Sequence, residues 1–173
     1  MNEQDRYWTF FVQTYGHSSY LAKYLEKCDR IDRIIAIVTA ITSSASIAGW
    51  AIWQHLAGVW GCFIAFSQVI AAIKIYLPYS KQAEMLREAE RSFVHLATRV
   101  EGQWFEVNSD SLTEKQVHEI LYKFQLEKQE VESKLFAKVT LPLDKKLLDE
   151  ASRATDDYFA RYYGSGKAKS IPQ

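Results

Sequence analysis

No Asp, Glu, Lys or Arg occurs between Ile34 and Ile73, although 24% of the 173 residues are charged. Few features restrict a chain more. This charge-free stretch makes up most of two apolar segments, Ile34–Trp53 and Val59 to about Leu77, joined by Gln54-His55-Leu56-Ala57-Gly58, and Lys74 near the end of the second is the one charge in either. A bilayer core of roughly 30 Å takes about 20 helical residues at about 1.5 Å each. Each segment has that length, so the pattern predicts two transmembrane helices folded back as a hairpin. The average hydropathy of the chain is slightly negative and suggests a soluble protein, but the average hides a segregated pattern, and local pattern decides. The competing reading is a soluble bundle core. Core helices of soluble bundles are usually amphipathic and about 10–14 residues long, whereas Ile34–Ala48 is apolar or small all round, with Ser and Thr as its only polar residues.

Orientation follows from Lys and Arg near the segment ends. Lys23, Lys27, Arg30 and Arg33 precede the first span, and Lys74, Lys81 and Arg87 lie at or beyond the end of the second. The connection has neither residue type. Both termini are therefore expected in the cytoplasm, with 54–58 as an external turn. Trp50, Trp53 and Trp60 fit the outer interface. Tyr76 and Tyr79 fit the inner one, with Arg30, Arg33 and a snorkelling Lys74. The 33 residues before the first span argue against a cleaved signal peptide. Cys28 and Cys62 fall at opposite ends of the bilayer, too far apart for a disulfide within one chain.

Outside the hairpin the pattern is helical, and the predicted fold class is all-α. The expected layout is a cytosolic N-terminal helical arm (1–33), transmembrane helix 1 (34–53), the external turn (54–58), transmembrane helix 2 (59–77), a cytosolic helical bundle or coiled coil (81–163) and a disordered tail (164–173). In the arm, Trp8, Phe11, Val12, Tyr15, Leu21, Leu25 and Cys28 recur at mostly helical spacing, and Gly16 with His-Ser-Ser marks a break or bend. Leu86, Phe93, Ala97, Val100 and Trp104 form a near-heptad stripe over 81–105, interrupted by Glu90. Ser111 or Thr113 can cap a third helix ending near Val139, with Val117, Ile120, Phe124, Val131 and Leu135 turned inward. A last helix is expected from Leu143 to Tyr163, closed by Gly164.

Motifs for catalysis are missing: the sequence holds no HExxH, CxxC, glycine-rich phosphate loop or GxSxG. No enzymatic activity, cofactor or metal is expected. His17, His55, His95 and His118 are dispersed, and Asp149, Glu150, Asp156 and Asp157 read as a solvated helix face. With 21 acidic and 21 basic residues the net charge is zero, which argues against nucleic acid as a partner. The sharper signal lies in the spans. At about 100° per residue, Thr39, Thr42, Ser43 and Ser46 share one face of the first, and Gly61, Ala65, Gln68 and Ala72 share one face of the second. These faces serve close helix packing or line a pore. Two helices enclose no lumen, so a pore requires a homo-oligomer. The acid-free connection argues against selective divalent conduction.

A polar helical arm ending in Lys27-Cys28-Asp29-Arg30-Ile31-Asp32-Arg33, a two-span hairpin with a minimal turn, the charged helix 81–105 and a helical C-terminal part together resemble the SLATT family. These are two-transmembrane effectors of bacterial conflict systems associated with nucleotide-generating SMODS enzymes and nucleotide-sensing SLOG domains. The resemblance covers residues 1–163 and rests on layout. It implies an oligomeric pore-forming effector of the bacterial inner membrane, used against phage by abortive infection. A nucleotide signal or partner protein would gate it through the cytosolic helices. The partner would be a nucleotidyltransferase, a nucleotide sensor or a reverse transcriptase encoded nearby. No nucleotide-binding residue carries over. The alternative is a membrane-anchored helical interaction or adaptor module without pore activity.

Overall fold

The computed structural model describes residues 2–52, 79–109, 111–136 and 143–164, together with positions 58, 61, 62, 65, 66, 68, 69 and 141. The described residues form four long α-helices: α1 (Glu3–Ile52), α2 (Tyr79–Asn108), α3 (Glu114–Phe136) and α4 (Lys145–Tyr163). Gly58, Gly61, Cys62, Ala65, Phe66, Gln68 and Val69 are helical as well. The chain divides into two compact units, one made of Met1–Leu25 with Glu84–Gln173, the other of Glu26–Ala83.

In the first unit the four helices share a core. Tyr7, Phe10 and Phe11 of α1 meet Leu96, Val100, Trp104 and Val107 of α2, Val117, Leu121 and Phe124 of α3, and Phe159 of α4. Directions follow from pairings. Gln4 Nε2 donates to Val107 O (3.0 Å) and Tyr7 Oη to Val100 O (2.9 Å), which sets α1 antiparallel to α2. His118 lies by Glu3 and His17 by Glu132, so α3 runs parallel to α1. The rings of Tyr15 and Tyr158 stack at 4.3 Å, and Trp8 meets Tyr163 edge-on at 5.3 Å. Hence α4 is antiparallel to α1. A second cluster, Leu21, Leu25, Leu86, Ala89, Phe93 and Leu135, closes the other end.

Each helix end has a local cause. Thr113 Oγ1 accepts from Gln116 N (3.4 Å) while Gln116 Oε1 accepts from Thr113 N (2.9 Å), a reciprocal capping box that starts α3. Asp144 caps α4 through Lys146 N and Leu147 N, and Gly164 ends it at φ +79°, a backbone region that favours glycine. The break expected near Gly16 does not occur. Thr14 and Ser18 are buried and donate to carbonyls of their own helix, Phe10 O at 2.8 Å and Tyr15 O at 2.7 Å. Their polarity is satisfied internally, so α1 continues.

In the second unit most of the described large apolar side chains face outward, with Ile35 and Val38 half-buried. Ile34, Ile37 and Ile41 are exposed, as are Phe66 (63%) and Val69. Among the described residues no helix is long and apolar enough to cross a membrane. Described side chains of the first apolar segment end at Ile41, and most of the second segment lies outside the described residues.

Candidate functional site

Two places merit attention, one foreseen from the sequence and one not. The foreseen faces are only partly described. Thr39 is half-buried and its hydroxyl donates to Ile35 O (2.8 Å). Gly61, Ala65 and Gln68, spaced four and three apart, are all exposed on helical backbone. A Cβ built on Gly61 would meet nothing within 4 Å. Backbone alone is described for Thr42, Ser43, Ser46, Trp50 and Tyr79, while Trp53, Trp60, Ala72, Lys74 and Tyr76 lie outside the described residues. Arg30 and Arg33 are exposed, and Arg30 pairs with Glu26 at 3.0 Å. Both cysteines are free thiols. Asp149, Glu150, Asp156 and Asp157 are exposed, and among the described residues no group of three or more His, Cys, Asp or Glu could hold a metal ion.

The unforeseen place is a recess of about 320 Å³ in the first unit. Its cause is residue size. Gly16 on α1 and Ala151 and Ser152 on α4 line the same space, and none of them can fill it. Phe93, Leu21, Leu135, Leu141, Leu143 and Leu148 supply apolar walls. The lining draws on the second core cluster and on none of the buried residues of the first, so the recess borders the second cluster.

A few polar groups line it: Gln13, His17, Tyr20, Glu132 and Ser152. Glu132 Oε1 lies 3.6 Å from His17 Nδ1 and 3.8 Å from Lys128 Nζ, both longer than an ordinary N–H···O bond of about 2.7–3.2 Å. Lys128 Nζ also stands over the Phe10 ring, 5.6 Å from its centroid. Burial pushes the His17 imidazole down from 6.5 to about 4, and the Lys128 ammonium adds to this. Half of the His17 side chain stays exposed. The imidazole is neutral at pH 7. Burial likewise lowers Lys128, and Glu132 opposes the shift. Tyr20 Oη accepts from Asp144 N (3.2 Å), tying the rim to the α4 cap.

A second polar cluster is structural. Tyr158 and Tyr163 both donate to Glu101 Oε1, at 2.6 and 2.8 Å, and Trp8, Phe11 and Phe159 fill the space beside them edge to face. Burial and then the Glu101 carboxylate raise both phenols well above their ordinary range. No family model, curated protein or solved structure matches the chain.

Proposed function

We propose that the chain is one subunit of an oligomeric, pore-forming effector of the bacterial inner membrane, acting in antiviral defence by abortive infection. Both termini are cytoplasmic, and the cytosolic helices gate the pore on a nucleotide signal or a partner protein. One observation carries the membrane part: five large apolar side chains within the charge-free stretch point outward, while Ile35 and Val38 beside them are half-buried. Ile34, Ile37, Ile41, Phe66 and Val69 are each more than half exposed. In water such exposure forgoes about 25 cal/mol per Å² of apolar area, a penalty that lipid removes. The exposed Gly61, Ala65 and Gln68 face supports assembly, because an amide in lipid needs a partner on another helix.

Mechanistically, the first unit is well packed and can transmit a rearrangement of α1 and α2, each of which contributes residues to both units. Closed and open states then differ in whether the Ser/Thr face and Gln68 are hydrated. Expression of the chain should depolarise cells. Replacing Ser43, Ser46 and Gln68 together by Leu should abolish depolarisation while the chain stays in the membrane fraction. Depolarisation that persists unchanged in that variant removes the pore-face assignment. Full activity after exchange of residues 34–77 for an unrelated hairpin favours the anchored adaptor instead.

A further inference from the structure

We propose that the recess between α1, α3 and α4 is a binding site for a small, largely apolar organic molecule. That molecule carries one hydrogen-bond donor, is neutral or singly cationic, and bears no phosphate or carboxylate. A volume of about 320 Å³ lies at the low end of small-molecule sites, roughly 300–1,000 Å³. The recess has the usual make-up of such sites, apolar walls with a few convergent polar groups. It is also built into the fold. Gly16, Ala151 and Ser152 leave the space on facing helices, and α1 stays helical through this level.

The polar groups choose the ligand class. The only formal charge on the described lining is the Glu132 carboxylate, and it is one-third exposed. Its contacts to His17 and Lys128, 3.6 and 3.8 Å, leave it able to accept a shorter bond from a ligand N–H. No Lys or Arg is among the described lining residues. A phosphate here would meet the Glu132 carboxylate, while the nearby Lys128 ammonium is already engaged by that carboxylate and by the Phe10 ring, so like charges oppose its entry. An amine or amide on a ring system meets the opposite situation. Any nucleotide signal must therefore act elsewhere than in this recess. The inference stands apart from the membrane reading, because binding is measured with no reference to conductance.

The test uses the full chain held in amphipol, with protein-free amphipol as the blank. Two fluorescent probes share one skeleton: N-phenyl-1-naphthylamine, neutral with a single N–H, and its sulfonated analogue 1-anilinonaphthalene-8-sulfonate. The neutral probe should show a saturable fluorescence rise, with the sulfonate weaker by about tenfold or more. Ser152→Phe, which fills the recess from a half-buried position, should remove the saturable phase while far-UV circular dichroism stays unchanged. Should Ser152→Phe misfold, Glu132→Gln decides: it should narrow the gap between the two probes. Non-saturable binding, equal affinity for both probes, or saturable binding untouched by these variants overturns the proposal. A nucleotide that displaces the neutral probe overturns the assigned ligand class.

Discussion

The two units use the same apolar residue types in opposite ways. In Met1–Leu25 with Glu84–Gln173, Tyr7, Phe11, Leu96, Val100 and Phe159 are at most 1% exposed. In Glu26–Ala83, Ile34, Ile37, Ile41, Phe66 and Val69 are outside. The difference lies in how charge is distributed round each helix. On α2, Leu86, Phe93, Val100 and Trp104 form one stripe, while Arg87, Glu88, Arg91 and Arg99 solvate the rest. Such a helix has an inside and an outside. The stretch 34–73 has no charge on any face. Its polar residues are all uncharged, so its apolar side chains need no protein core if the surroundings are apolar too.

The largest effect that could break this contrast comes from a pair of phenylalanines. Phe159→Ala should lower the unfolding free energy of the helical unit by about 3–5 kcal/mol in a urea titration. Phe66→Ala should leave it within about 0.5 kcal/mol. Equal losses would mean that Phe66 is part of a core. Next, Ile41→Asp should cost up to about 3 kcal/mol of membrane insertion and move the chain out of carbonate-washed membranes. An unchanged membrane fraction counts against the first span. Tyr7→Phe deletes the buried hydroxyl that donates to Val100 O and should cost about 1 kcal/mol of unfolding free energy.

The smallest effect is the pH dependence set by His17. Its folded pKa is about 4 against 6.5 when unfolded. Between those values the unfolded chain binds more protons, so stability must fall as pH drops from 6.5 toward 4. The half-exposed ring keeps the slope shallow. His17→Gln should flatten that part of a thermal-melt profile. An unaltered slope would show that other groups carry it.

Much of the helical unit was legible in the sequence. The α2 stripe is buried as its spacing requires, and Val117, Phe124 and Leu135 of α3 are inward. Gly164 closes α4 at a positive φ. Asp144 was overlooked as the α4 cap because Lys145 and Lys146 follow it where acidic residues usually mark a helix start. Tyr7, Phe10, Thr14 and Ser18 were missed because α1 is buried on several sides by three other helices, so its inward face is wider than one stripe. Gly16 read as a break because propensity is weak against tertiary packing. The recess could not be read at all. His17 and Glu132 are far apart in sequence, and their meeting depends on α3 lying parallel to α1. No spacing rule encodes the place where two small-residue positions on different helices coincide.

The central claim is that identical hairpins assemble into a hydrated pathway. Dye release from liposomes reconstituted with the purified chain tests it most directly. The account predicts release that rises more steeply than linearly with protein per vesicle, because subunits must assemble, and that is lost when Ser43, Ser46 and Gln68 are replaced by Leu. Vesicles that incorporate the chain yet stay sealed at every protein density would contradict it.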